Sequence, residues 1–231
     1  MKIPRILLAA GASGSGKTLI TCGLLQALVN RKMKGASFKC GPDYIDPMFH
    51  SRVIGTKSRN LDTFFTDSDV TRYLLGRNAA DCDIAVMEGV MGYYDGVAGT
   101  TTQVGGISTK ASAYDLADTT DTPVILIVNS RGMSISLAAY IKGFMEYKEN
   151  SHIKGVIFNQ MSPMLYPRMK KLAEEQLGVE VLGYVPKVED CVIESRHLGL
   201  VLPEEIKDLK GRLKKLAGVL EETLEIDRIL A

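Results

Sequence analysis

Short apolar runs alternate along the chain with stretches whose apolar residues recur at helical spacing. RILLAA (5–10), GASFKC (35–40), CDIAVMEG (82–89), PVILIVNS (123–130), IKGVIFNQ (153–160) and VEVLGYVP (179–186) read as six buried strands. Between them, residues 19–32, 67–75, 108–117, 134–149 and 164–177 read as helices, the second of these with acidic residues in its first turn, as the helix dipole prefers. A tail helix over 203–230 carries Ile206, Leu209, Leu213, Leu216 and Leu220 as one stripe, expected to pack on its own domain. Apolar strands separated by amphipathic helices predict an α/β fold with a mostly parallel sheet, because a crossover between parallel strands needs room for a helix on one face or the other.

Composition narrows this picture without redirecting it. A chain of 231 residues, 45% of them apolar, can bury one substantial core, so a single domain is the simpler expectation. Twenty-eight basic residues balance 27 acidic ones, and this formal +1 supplies no field that would draw the chain to nucleic acid or an anionic membrane. No apolar run approaches membrane-spanning length and no secretory leader is evident, so a cytoplasmic protein is expected. Cys22, Cys40, Cys82 and Cys191 are widely spaced and form no Cys-x-x-Cys pair, which argues against a zinc finger or a disulfide scaffold.

The chemistry begins at GASGSGKT (11–18), directly after the first strand. Gly11, Gly16, Lys17 and Thr18 satisfy the phosphate-loop pattern in its strand, loop and helix context, with Ser13, Gly14 and Ser15 supplying further backbone amides. Phosphates need several convergent N–H donors; glycines let successive amides turn inward, and the helix start adds its positive end. Lys17 is expected on the outer phosphates and Thr18 on Mg²⁺, with a mononucleotide triphosphate as ligand. The fold class sharpens to a P-loop NTPase three-layer sandwich.

Other candidates fall at strand ends, on the same rim. Glu88 closes CDIAVMEG and is expected to face the metal or its water shell. Asn159 closes another strand, where its amide either reads the adenine edge or forms a turn. KCGPDYIDPMFH (39–50) follows the second strand: Lys39 is placed to offset phosphate charge, Asp43 to be a second magnesium ligand or orient a nucleophile, and Asp46 either to share this rim site or to cap a helix beginning near Met48. Two carboxylates beside a polyphosphate repel it unless a cation lies between them, so this arrangement asks for Mg²⁺. EGVMGYYDG (88–96) brings Tyr93, Tyr94 and Asp95 on a glycine-rich loop, and closure of 89–106 over a ligand is expected. ESRHLGL (194–200) adds Arg196 and His197. His50, His152 and His197 would all have to converge to form a histidine metal centre, and His152 reads as a turn residue.

These segments, in this order and spacing, resemble the cobyrinic acid a,c-diamide synthases, over essentially the full chain. The resemblance implies a dethiobiotin-synthetase-like fold and an ATP-dependent amidation of two acid side chains on a tetrapyrrole-derived ring. It implies roles for Lys17, Thr18 and Lys39 at ATP and Mg²⁺, and for Asp43 and Glu88 at the metal and the phosphoryl transfer. By the same resemblance Tyr44 and Ile45 would border the macrocycle with Asp46, Tyr93, Tyr94, Arg196 and His197 on the substrate side, and Asp95 would position the acid or the ammonia. Residues 1–231 would be the ATP-binding amidoligase domain, with 187–231 a helical extension leading toward a glutaminase domain or subunit as partner. No cysteine-nucleophile elbow is present, so glutamine hydrolysis is not expected of this chain. The macrocycle stays open at this point, between cobyrinic acid and relatives such as nickel-sirohydrochlorin or hydrogenobyrinic acid. So does a reading as a nucleotide-switched partitioning or scaffold ATPase, as does the oligomeric state, a homodimer included.

Overall fold

The computed structural model of the protein describes residues 3–97, 108–188, 195–196, 199–200 and 208–231. Seven strands, β1 (Arg5–Ala10), β2 (Gly35–Cys40), β3 (Lys57–Leu61), β4 (Ile84–Glu88), β5 (Val124–Asn129), β6 (Ile153–Asn159) and β7 (Glu180–Val185), make one sheet in the order β3-β2-β4-β1-β5-β6-β7. Every pairing is parallel. All six strands expected from the apolar runs are present. The seventh, β3, was not expected, because KSRNL lacks an apolar run: it lies at the sheet edge, where Lys57 and Arg59 are exposed and only Ser58 and Leu61 are buried. Charges on an edge strand discourage pairing with another chain.

Alternation along each strand divides the core in two. Ile6, Leu8 and Ala10 of β1 face one side with Ile125 and Ile127 of β5, while Leu7, Ala9, Leu126 and Val128 face the other. The first face is covered by α1 (Lys17–Asn30), α7 (Leu209–Thr223) and α8 (Ile226–Leu230); the second by α3 (Ser68–Ala79), α4 (Ala113–Thr120), α5 (Ser136–Glu146) and α6 (Tyr166–Leu177). Helix α1 is buried on nearly every side from Ile20 to Leu28, because it lies between the sheet and α7. The leucine stripe of the tail accordingly packs on its own domain, with Leu209, Leu213, Leu216 and Leu220 buried. Ile206 lies outside the described residues. Helix α4 starts later than the periodicity suggests, at Ala113, because the Ser112 hydroxyl accepts the Asp115 amide and sets the first turn there.

Between β2 and β3, a short helix α2 (Ile45–Met48) runs straight into a π-helical turn, Phe49–Ile54. Two short antiparallel strands, β8 (Ser195–Arg196) and β9 (Gly199–Leu200), make a separate ribbon, and β9 adjoins α2. Among the described residues no helix is long and apolar enough to cross a membrane.

The C-terminal helices are locked to the sheet at one point. Leu224 forms an antiparallel bridge with Gly183 of β7, and the Glu225 amide donates to Leu182 O at 2.9 Å. Gly183 has φ +126, and a Cβ there would stand 2.3 Å from Thr223 O, a backbone atom that cannot swing aside. Gly183→Ala is therefore expected to destabilise the protein by about 2–5 kcal/mol in urea unfolding, from strained backbone and overpacking together. Gly143→Ala, at an exposed position of α5 with nothing near its Cβ, should leave stability unchanged or raise it by about 0.5–1 kcal/mol.

Candidate functional site

The carboxyl ends of β1, β2 and β4 lie side by side, so the segments that follow them share one rim. In register, Lys39 on β2 pairs with Glu88 on β4, and Leu8 on β1 pairs with Glu88 on its other side. The phosphate loop leaves β1 two residues later. Chain order reverses around β1, and open α/β sheets bind their ligands in the crevice such a reversal leaves.

Four side chains converge there. Thr18 Oγ1 donates to Glu88 Oε1 at 2.5 Å and lies 3.4 Å from Asp46 Oδ2. The Lys39 ammonium stands between the two carboxylates, 2.5 Å from Asp46 Oδ2 and 2.9 Å from Glu88 Oε1. All three charged groups are nearly or wholly buried. Lys17 Nζ donates to the carbonyls of Ala12 at 3.0 Å and Met91 at 2.6 Å, which folds it back over its own loop. Burial, and secondarily Lys39, push the Lys17 ammonium down to about 8.

The two carboxylates titrate apart. Burial pushes Asp46 up to about 7, reinforced by Glu88 and opposed by Lys39. Burial acts on Glu88 in the same sense, but Lys39, His50 and Thr18 outweigh it and hold Glu88 well below the usual carboxylate range. One ammonium cannot fully compensate two buried carboxylates, so the charge falls on the better-paired of the two.

This donor set fits a magnesium ion. Hydroxyl and carboxylate oxygens are the ligands a small hard cation prefers, and Mg²⁺ commonly takes one or two carboxylates with water and phosphate completing its shell. Glu88 Oε2 is buried without a hydrogen-bond partner among the described residues. Among the described residues no cluster of three or more histidine, cysteine or acidic side chains could hold a metal unaided. Such a site would therefore depend on the ligand's own phosphates.

Asp43 and Asp46 differ from the roles their spacing suggested. Asp43 Oδ1 accepts the amides of Ile45 at 2.8 Å and Asp46 at 3.2 Å, so Asp43 caps α2, which starts at Ile45 and not near Met48. Asp46, the candidate cap in the sequence, is instead the carboxylate turned inward to Lys39 and Thr18. Asp43 still lines the cleft, and the Asn60 amide fixes its carbonyl at 2.7 Å. Tyr44 is 82% exposed beside it, and Ile45 packs against the core.

The Tyr-Tyr-Asp loop is also reassigned in part. The Tyr93 amide donates to Ala10 O at 2.8 Å, extending the β4–β1 contact past the strands. Its ring is wholly buried and its hydroxyl donates to Ser151 O at 2.6 Å, while Tyr94 donates to Phe144 O at 2.7 Å. Both rings pack in an aromatic cluster, Tyr93 edge-on to Tyr114 and Tyr94 stacked on Phe144, so Tyr93 is a core residue and not a substrate contact. Asp95 Oδ2 accepts the Gly92 amide at 3.0 Å and contributes to the field on Lys17. Gly92 must be glycine, because a Cβ there would lie 2.7 Å from Gly11 O of the phosphate loop. Residues 98–106 of the proposed closing loop, and His197, lie outside the described residues; Arg196 is in β8.

A cleft of about 580 Å³ joins these parts. Its lining includes Ser13, Gly14, Gly16, Lys17, Thr18, Lys39 and Asp43, together with Asn159, Gln160, Val185, Pro186 and Val188. Asn159 Nδ2 donates to Ser15 O at 2.8 Å and its Oδ1 accepts the Gln160 amide, so this side chain clamps the phosphate loop to β6. Sequence reasoning missed Arg131 and residues 185–188 of the lining, though both follow parallel strands and so had to reach this rim. It also missed His50, whose ring is buried against Glu88.

Residues 6–200 match the family described as the CobQ/CobB/MinD/ParA nucleotide binding domain. The chain belongs to that family. Cobyrinate a,c-diamide synthase of Methanocaldococcus jannaschii is 38% identical over 235 residues, covering 100% of this chain and 51% of the relative. That of Thermoplasma acidophilum is 39% identical over 228 residues, covering 98% and 48%. The chain thus spans about half the length of these relatives. Chloroplast FtsY from Physcomitrella patens superposes with TM-score 0.58 over 92% of this chain and 66% of its own, at 11% identity. Hydrogenase maturation factor HypB from Archaeoglobus fulgidus does so with TM-score 0.51 at 15% identity, over 80% of this chain and 81% of its own. Both likenesses concern the fold. A CobQ/CobB/MinD/ParA domain with this cleft is a P-loop nucleotide-binding domain.

The titration pattern has a measurable consequence in nucleotide-free, chelator-treated protein. Asp46 binds its proton more tightly folded, at about 7, than at the model-compound value of 3.8. Its contribution to stability is therefore full below about 4 and lost as pH rises to 7. Glu88, shifted the other way, has made its whole contribution by about pH 5. Unfolding free energy is expected to fall between pH 5 and 8 by on the order of 1–3 kcal/mol, and Asp46→Asn should flatten that slope. Parallel wild-type and Asp46→Asn profiles would show Asp46 ionised throughout.

Proposed function

We propose that the chain is the ATP-binding half of an amidoligase that converts the a and c carboxylates of cobyrinate to amides, using ATP and Mg²⁺. One observation carries the reading: Thr18 and Lys39 both meet the Asp46 and Glu88 carboxylates beside the phosphate loop, in a domain matched along its whole length by cobyrinate a,c-diamide synthases.

A carboxylate is a poor acyl donor, because its charge repels a nucleophile and its oxygen leaves badly. In the proposed reaction a carboxylate oxygen attacks the γ-phosphorus of ATP and ADP departs. Ammonia then adds to the acyl phosphate, losing a proton as inorganic phosphate leaves. Catalysis of the first step is mainly alignment and charge neutralisation. Lys17 would leave its carbonyl partners for the outer phosphates, and Lys39 would offset charge on the group in transfer. Thr18, Asp46 and Glu88 would hold magnesium, which when bound neutralises phosphate charge and fixes phosphate geometry. Asp43, at the cleft wall, would align the incoming acid, with Asp95 near Lys17 on the ammonia side. Tyr44 and Ile45, at the rim, together with Arg196 and His197, would border the macrocycle. Asn159, Gln160 and the apolar residues of 185–188 would enclose the adenine. The ammonia would come from a glutaminase domain or subunit.

The full chain, supplied with ATP, Mg²⁺, ammonium and cobyrinic acid bearing heavy oxygen in its carboxylates, is expected to yield amide and to pass labelled oxygen into inorganic phosphate. ADP release without label in phosphate would overturn the acyl-phosphate route. Lys17→Ala and Glu88→Gln should remain cooperatively folded under assay conditions, Glu88→Gln at reduced stability because it breaks a buried ion pair, and lower the rate of label transfer about 10²–10³-fold. Normal transfer by either would remove that residue from the machinery.

A further inference from the structure

His50 has no part in the reaction as described so far, yet it is wholly buried behind Glu88. It lies on the π-helical turn Phe49–Ile54, four residues beyond Asp46 on one continuous helical segment, so both side chains approach the β4 end from the same face. Such turns often occur at functional sites. Its Nδ1 is 2.7 Å from Ser37 Oγ, and its Nε2 faces Glu88 Oε2 at 3.4 Å. Ser37 is two residues before Lys39 on β2, so both project from one side of the strand. Among the described residues neither His50 Nε2 nor Glu88 Oε2 has any other hydrogen-bond partner, and both are buried.

The chemistry of these atoms fixes the donors. Were Nδ1 to donate to Ser37 with Nε2 bare, a nitrogen lone pair would oppose a carboxylate oxygen with no water between them, which burial makes costly. With Ser37 donating to Nδ1, the Nε2–H points at Oε2; an imidazolium presents a hydrogen there as well. A movement of a few tenths of an ångström brings 3.4 Å within the usual hydrogen-bond range of about 2.7–3.2 Å.

We propose that His50, oriented by Ser37, is a positioning residue: it anchors Glu88 Oε2 and so leaves Oε1 as the single oxygen turned toward Thr18 and Lys39, where the magnesium would be held. This rests on the reading that Thr18, Asp46 and Glu88 hold magnesium. A buried partner that fixes the second oxygen of a ligating carboxylate sets its orientation before the cation arrives. Magnesium's preference for oxygen, and the carboxylate standing between His50 and the cleft, make His50 unsuited to ligation or proton abstraction. The histidine thereby ties the Asp43–Asp46 segment to β4, so one helical segment delivers both the Asp46 carboxylate and the support for Glu88.

The test is the Mg²⁺ dependence of nucleotide binding, which needs no turnover. The full chain is titrated with MgCl₂ at a fixed concentration of a fluorescent ADP analogue, and its affinity for the analogue is measured separately in EDTA. His50→Asn, which reaches Ser37 but not Glu88, is expected to raise the half-saturating Mg²⁺ about 10–100-fold while leaving affinity in EDTA unchanged. His50→Gln, whose amide N–H reaches the Nε2 position, should restore most of the wild-type response, and Ser37→Ala should shift it in the same direction as His50→Asn, by less. In a Glu88→Gln background, His50→Asn should cost nothing further. Wild-type Mg²⁺ dependence in both His50→Asn and Ser37→Ala overturns the inference alone. A wild-type chain whose nucleotide affinity ignores Mg²⁺ overturns the magnesium reading and the inference with it. Equal losses in His50→Asn and His50→Gln, in EDTA as in Mg²⁺, mark a packing role and also overturn it.

Discussion

The Lys39 ammonium, held between Asp46 and Glu88, is the constraint around which the rim is arranged. Taking three charges out of water is costly, and the arrangement survives only because each has close partners: Lys39 touches both carboxylates and Glu88 also receives the Thr18 hydroxyl. The sheet makes this possible. Lys39 and Glu88 are opposed in register on adjacent parallel strands, so their pairing follows directly from the β2–β4 alignment. Asp46 arrives from α2 and Thr18 from the start of α1, and neither could reach the cluster if the β1–β4 register slipped by one residue, since every side chain would then change face. Two carboxylates sharing one ammonium remain a site with an unmet demand for positive charge, which a divalent cation could supply.

The layers around the sheet explain why the rim stays in place. Helix α1 begins with Lys17 and Thr18 and is gripped along its length between the sheet and α7. The tail that supplies α7 is in turn fixed to β7 at Gly183 and Leu224. The C-terminal helices therefore belong to the same packed layer as the phosphate loop. On the opposite face, Tyr93, Tyr94, Tyr114 and Phe144 fasten the loop after β4 to α4 and α5, and that loop contributes Met91 O to Lys17 and Gly92 to the wall of the phosphate loop. Its aromatic residues serve the packing of the loop, and its backbone serves the cleft.

The class of fold, the phosphate loop and the rim were all readable from residue order alone. Six strands were legible because parallel strands buried on both faces are continuously apolar, and the phosphate loop was legible because its glycine spacing answers a local backbone need that no distant residue supplies. Glu88 and Lys39 could be placed at the rim from their positions at strand ends. Strand β3 escaped because an edge strand keeps charged residues and loses the apolar run that marks its neighbours. Only the tertiary structure decided between Asp43 and Asp46, because the choice depends on where α2 begins: a start at Ile45 commits Asp43 to capping and turns Asp46 inward. It likewise decided that Tyr93 is core and that His50 meets Glu88. Those outcomes depend on which side chains from distant segments share a buried space, and that information is carried by packing and register, not by any local pattern of residues.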